Sequence, residues 1–178
     1  VIKINKEKNV FKISTEYGEK YESSTVIIAT GADPRPLEAE GEKEFIGKGV
    51  SYCALCDGPI FRDKIVAVVG GGNSGFESAL FLSNYVKKIY ILEFAKTVKA
   101  DEENQKLSAN SKKTEIITNA KVLKIQGDNF VKSLTYQDLI LNQEKKIDVA
   151  GVFIEIGNLP ATAFVKDLVD ANEKNEII

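Results

Sequence analysis

The chain has 178 residues, 43% of them apolar and 28% charged, with a formal net charge of −2. That length holds one ordinary domain with attached pieces, and the composition is globular rather than disordered or fibrous. The charge balance excludes an electrostatic nucleic-acid binder, the apolar runs are too short to span a membrane, and the absence of His excludes Ser-His-Asp and Cys-His mechanisms within the chain.

The N-terminus, Val1-Ile2-Lys3-Ile4, enters a strand pattern with no long apolar stretch of a signal peptide, so a cytoplasmic setting is the default expectation. With no Met at any position, the chain reads as an excised piece. Val1 to Ile4, Val10 to Ser14 and Tyr21 to Ala29 alternate like the strands of a β-meander, separated by turn-prone residues. A proline-punctuated stretch, Ala32 to Leu37, and the charged run Glu38 to Glu44 read as a linker or surface loop. A domain boundary near Gly47 is therefore expected, dividing the chain into 1–46, 47–156 and 157–178.

From Ile65 to Val69 an unbroken apolar run ends in glycines, the pattern of a buried parallel strand. Ser74 to Val86 follows as a helix with Gly75, Ala79, Leu82 and Val86 on one stripe and Asn73 or Ser74 as its cap. Ile89 to Leu92 is a second apolar strand, completing a βαβ unit. Asp101 to Ser111 is expected to be helical, Glu115 to Ile125 a strand, and Val131 to Tyr136 with Lys145 to Val149 a hairpin. Val152 to Gly157 closes the region as a further strand, and a segment from Phe164 to Val169 follows.

Gly70-Gly71-Gly72-Asn73-Ser74-Gly75 fits G-x-G-x-x-G, a pattern that is weak alone and is read with its context. After a strand and before a helix, its glycines permit a tight turn, the approach of a pyrophosphate, and close helix packing, and the helix N-terminus offers N–H groups to phosphate. Glu93 ends the second strand about twenty residues beyond Gly72, where a carboxylate accepts hydrogen bonds from the adenosine ribose and repels a 2′-phosphate. NADH is thus favoured over NADPH, with Lys96 and Lys99 able to offset part of the repulsion. The alternative is a glycine-rich turn without a ligand.

The only cysteines form Cys53-Ala54-Leu55-Cys56. They can be a redox disulfide, half of a zinc site shared with another chain, or two buried thiols; a closed zinc site needs four ligands, which this chain lacks, so no metal is expected. A structural disulfide over so short a loop would remove little unfolded-state entropy, which favours a redox-active pair. Asp57 beside it can move a proton during thiol–disulfide exchange, or simply serve the turn.

Gly49 to Gly58, with Cys53-Ala54-Leu55-Cys56-Asp57 at its centre, followed by Val66 to Val69 and the glycine turn, resembles the thioredoxin-reductase-like pyridine nucleotide-disulfide oxidoreductases over nearly the whole chain. Asp57-Gly58-Pro59, Leu92-Glu93-Phe94-Ala95 and Lys99-Ala100-Asp101 are similar to the flavoprotein subunits of alkyl hydroperoxide reductases within that family. The resemblance implies an α/β fold: a Rossmann-like nicotinamide-binding domain of parallel sheet plus β-meander, carrying the CxxC, with partial flavin-domain segments at both ends. It implies hydride transfer from the nicotinamide to FAD and on to the disulfide, with Cys56 the sulfur nearest the flavin, Cys53 the one that attacks the substrate disulfide, and Asp57 the acid–base group. Gly70 to Gly75 with Ile156 and Gly157 would line the nicotinamide site, and Thr30-Gly31 would belong to the flavin domain. A thioredoxin-like or peroxiredoxin-type disulfide is the implied partner and a homodimer the implied assembly. The family's opening flavin strand and its later Gly-Asp motif are not in the chain, so stable FAD binding is expected only in a longer parent. A non-catalytic nucleotide-binding or redox-sensing module, and an NADH oxidase or ferredoxin-type reductase, are the rival readings; the cysteine pair argues against the latter.

Overall fold

The computed structural model describes residues Val1–Ile178. In chain order, β1 (Lys3–Glu7), β2 (Val10–Ser14) and β3 (Lys20–Ser23) are followed by β4 (Ala32–Pro34), β5 (Val50–Ser51), the short helix α1 (Ala54–Asp57) and a 3-10 turn at Gly58–Phe61. Then come β6 (Ile65–Val69), α2 (Asn73–Leu82), β7 (Lys88–Leu92), α3 (Glu102–Asn110), β8 (Thr114–Ile117), β9 (Ala120–Gly127), β10 (Val131–Asp138), β11 (Gln143–Asp148), β12 (Gly151–Ile154) and β13 (Asn158–Pro160). The chain divides into two compact units, one made of Val1–Arg35 with Asn158–Ile178 and the other of Pro36–Gly157.

In the first unit β1, β2 and β3 form the expected antiparallel meander, and β4 pairs with β13. The third strand is shorter than its sequence suggests. It ends at Ser23, and Val26 to Ala29 form no ladder, with Ile27 93% exposed. An apolar run becomes a strand only where a neighbour receives its N–H and C=O groups, and in this unit none does.

The second unit is built on a parallel sheet of order β5-β12-β6-β7-β8. Both faces of this sheet are covered, which is why its strands read as continuous apolar runs. On one face Val66, Val68, Ile89, Ile91 and Phe153 pack with Phe76, Ala79 and Leu82 of α2 and with Ala54 and Phe61. On the other, Ala67, Val69, Leu92, Val152 and Ile154 meet Val122, Ile125, Leu134 and Tyr136 of an antiparallel sheet of order β11-β10-β9. The expected hairpin is β10 with β11.

Three further expectations change. The single strand expected over Glu115 to Ile125 is two, because Asn119 turns the chain with φ 53° and sends β8 to the parallel sheet and β9 to the antiparallel one. Helix α2 is shorter than Ser74 to Val86 and is capped by Gly72, with no side-chain hydrogen bond at the cap. The boundary expected near Gly47 falls instead after Arg35, and the charged loop is stitched into the second unit. Glu40 N donates to Leu123 O (3.0 Å) and Ile125 N to Glu40 O (2.8 Å), while Phe45 is buried.

Candidate functional site

The parallel sheet ends in a row of turns, and the sequence-derived site residues of the second unit gather along that C-terminal edge. At the end of β6, Gly70 adopts φ +120°, and a Cβ placed on it would lie 2.2 Å from Glu155 O, so only glycine fits the turn. Gly75, in the first turn of α2, presses on the same turn: its Cβ would stand 2.0 Å from Gly70 O. Gly72 is different. Its backbone is extended (φ −87°, ψ −176°) and a Cβ there would meet nothing within 4 Å. Open space therefore faces the uncapped N-terminus of α2, as a pyrophosphate requires. Asn73 and Ser74 are exposed there. Asn73 does not cap its own helix; its Oδ1 accepts from Asp101 N (2.8 Å), tying α2 to the cap of α3. Gly71 O accepts from Lys99 N (2.8 Å) and Ala100 N (3.1 Å), which wraps the segment after β7 around the turn.

Glu93, just past β7, is held on both oxygens. Oε2 accepts from Gly71 N (2.7 Å) and Oε1 from Ala95 N (2.8 Å), so its carboxylate is fixed beside the glycine turn with lone pairs to spare. A cleft of about 260 Å³ opens here, with Gly70, Leu92, Glu93, Phe94, Lys121 and Ile156 in its lining. Mostly apolar walls and one fixed carboxylate suit a purine with its ribose. The residues present thus fit a nicotinamide dinucleotide: Gly72 leaves room for phosphates, and the fixed Glu93 carboxylate can accept from ribose hydroxyls. Gly157 follows Ile156 with φ +96° and is exposed.

On the opposite side of β6 lies β12, and beyond it β5, which leads into the cysteines. Cys53 and Cys56 form a disulfide with Cα atoms 5.3 Å apart. Cys53 caps α1, its Sγ accepting from Cys56 N (3.2 Å), and Ser51 Oγ accepts from Cys53 N (3.0 Å). Cys53 is half-buried and Cys56 exposed, and Asp57, half-buried, ends the same helix. Cys56 is the more exposed residue of the pair, and Leu55 and Ile60 in the same segment are exposed too.

A buried carboxylate that the sequence does not reveal supports this loop. Glu42, 2% exposed, accepts from Leu37 N (2.8 Å), Glu38 N (2.6 Å) and the Tyr52 hydroxyl. Burial, then the hydrogen bond to Glu42 and its charge, push the Tyr52 hydroxyl up to about 12. Tyr52 directly precedes Cys53, so the pair anchors the entry to the disulfide. Only a Glu inside a run of charges marks Glu42, and such a run reads as a solvated loop.

Glu155 is the second residue missed. It follows β12, accepts from Ser78 Oγ (2.6 Å), and its carboxyl is raised by burial, an effect only partly offset by Ser78 and increased by Glu77. Its signal was a lone acid inside an apolar strand. Thr30 and Gly31 belong to the first unit, where Thr30 Oγ1 donates to Ala161 O (2.8 Å) and Gly31 O accepts from Ala161 N (3.1 Å).

Comparison with known proteins agrees with this fold. The chain is 43% identical over 175 residues to an alkyl hydroperoxide reductase subunit of Staphylococcus aureus (strain MRSA252), covering 98% of this chain and 34% of that protein. It is also 43% identical over 171 residues to an NADH dehydrogenase of Bacillus subtilis (strain 168), covering 96% and 34%. Among solved structures, thioredoxin reductase of Lactococcus lactis superposes with a TM-score of 0.88 at 33% identity, and that of T. acidophilum with 0.86 at 37%, each over 99% of this chain and 58% of the other. The chain therefore spans about a third of the length of these curated relatives. The sequence profile of the pyridine nucleotide-disulphide oxidoreductases matches residues 1–178, and the chain belongs to that family.

Proposed function

We propose that this chain is the nicotinamide-binding, disulfide-carrying part of an NADH-dependent flavoprotein disulfide reductase. Pro36–Gly157 is the nicotinamide domain, and Val1–Arg35 with Asn158–Ile178 is a portion of the flavin domain. The parent reaction is NADH, a proton and a protein disulfide giving NAD and a dithiol, with a thioredoxin-like or peroxiredoxin-type protein as substrate and a homodimer as the working assembly. When bound, the nicotinamide supplies the hydride and the flavin converts it to the electron pair a disulfide accepts.

Within this chain, reduced Cys53 attacks the substrate disulfide as a thiolate, forming a mixed disulfide and releasing one substrate sulfur. Cys56 then attacks the Cys53 sulfur, restoring the Cys53–Cys56 bond and releasing the second. Asp57 moves the protons that the leaving sulfurs take. Gly70 to Gly75 receive the pyrophosphate, Ile156 and Gly157 border the nicotinamide half, and Thr30-Gly31 serve the flavin side. The preference for NADH comes from Glu93: fixed by Gly71 N and Ala95 N, it cannot swing away from an incoming 2′-phosphate.

The observation that carries this reading is the empty space at Gly72 before the uncapped end of α2, with Glu93 on one neighbouring strand and the disulfide two strands away on the other side. Calorimetric titration with NADH and, separately, NADPH at fixed salt tests it. Measurable NADH binding with little for NADPH is expected. Equal binding of both removes the role given to Glu93, and binding of neither removes the nucleotide site.

A further inference from the structure

Glu155 is a half-buried carboxylate with no cationic partner in a chain that has 24 Lys and Arg. None of the salt bridges includes it. From α2 it faces the Ser78 hydroxyl and the like charge of Glu77; β6 and its turn present only apolar residues and glycine. Burying a charge without a counter-ion is costly, and such groups gather where a charge is used.

The strand register says where. β12 and β5 run parallel with Phe153 opposite Ser51, so two residues further on each strand bring Glu155 and Cys53 to the same end of neighbouring strands. Both segments leave the sheet there towards the layer that holds α2: Glu155 reaches Ser78, and Ala54 packs in the same core as Phe76 and Ala79. On the α1 side the charged groups of this segment are Asp57 and Arg62, and the Arg62 guanidinium lies over the Tyr85 ring rather than in an ion pair with Glu155.

Building on the redox role given to the cysteines, we propose that Glu155, held by Ser78, is a positioning residue of the disulfide whose negative charge keeps the reduced pair protonated. Reduction breaks the Cys53–Cys56 bond, takes two electrons and, when both sulfurs end as thiols, two protons. A neighbouring carboxylate disfavours the thiolate, so the reduced pair holds both protons up to a higher pH, and the smaller thiolate fraction of Cys53 is the form that attacks a substrate disulfide.

The test follows the ultraviolet absorbance of thiolate against pH after reduction by dithiothreitol, which is itself oxidised to its cyclic disulfide. Glu155→Gln is expected to raise the thiolate fraction at neutral pH by about tenfold, and Glu155→Asp, which keeps the charge, to stay near the wild-type curve. A Gln curve superimposed on the wild type overturns the inference. So does an Asp curve that follows Gln, because lost packing rather than lost charge would then be the cause. If dithiothreitol cannot reversibly open the wild-type disulfide, the redox reading itself falls, and this inference with it.

Discussion

Two alanine substitutions a few residues apart in the glycine turn should have opposite consequences. At Gly75 a Cβ would lie 2.0 Å from the carbonyl oxygen of Gly70 and 3.0 Å from its carbon, with Val68 Cγ1 behind. An ordinary contact needs roughly 3.4 Å or more, so α2 must move off β6, and overpacking of this kind costs roughly 2 kcal/mol. For a chain of this size that lowers the melting temperature by about 4–8 °C. At Gly72 the backbone is extended and the Cβ meets nothing within 4 Å, so Ala fits without strain and should change stability by no more than about 0.5 kcal/mol. The Cβ there occupies the space left for phosphate, so NADH affinity should fall by about tenfold or more, or roughly 1.4 kcal/mol.

Thermal unfolding and NADH calorimetry on both variants read the two effects separately. A Gly72→Ala protein that binds NADH like the wild type would refute the placement of the pyrophosphate. A Gly75→Ala protein as stable as the wild type would refute the packing argument.

Glu93→Gln replaces a carboxylate that accepts from two N–H groups by an amide that can accept through only one oxygen. NADH binding should weaken and the NADH-to-NADPH affinity ratio should fall by about tenfold, as measured by competing titrations; an unchanged ratio would show that Glu93 does not discriminate. Tyr52→Phe leaves Glu42 without its hydroxyl donor and should cost about 1–3 kcal/mol in denaturant unfolding at neutral pH. Because the folded Tyr52 value, about 12, lies above its unfolded value of about 10, the protonated hydroxyl contributes stability below pH 10 that is lost as pH rises towards 12. The gap between wild type and Tyr52→Phe should therefore close across that window, and a gap that widens would reverse the sign of the argument. In a parent protein that carries out the proposed reaction, Cys53→Ser and Cys56→Ser should each abolish disulfide reductase turnover, and full activity in either would remove that cysteine from the mechanism.

What could be read in the sequence depended on whether a residue's role is local. β6, α2 and β7 were legible because a buried parallel strand, a glycine turn and a helix stripe are short-range patterns, and Cys53-Ala54-Leu55-Cys56 closes its own loop. The break at Asn119 was not, since one positive-φ residue decides whether an apolar stretch is one strand or two. Glu42 was hidden because its partners, Leu37 N, Glu38 N and Tyr52, meet only when the loop folds back; by composition alone the loop looked solvated. Val26 to Ala29 erred in the other direction, apolar enough for a strand yet without a neighbour to pair with.

The sheet order explains why the site as a whole resists a linear reading. Across the edge from β7 through β6 and β12 to β5, the residues met are Glu93, Gly72, Glu155 and Cys53, an order unrelated to their order in the chain. The direction of strand addition reverses between β6 and β12, which is where open α/β sheets form a crevice for ligands. On the proposed reading, a dinucleotide with its adenosine at Glu93 and its phosphates at Gly72 would point its other half towards β12. In the sheet β12 stands between β6, which carries the glycine turn, and β5, which leads into the disulfide, and one residue directly follows its end. In this chain that residue is Glu155, so a substitution there should reach the disulfide's proton balance while leaving the adenosine contacts, and hence the NADH-to-NADPH ratio, unchanged.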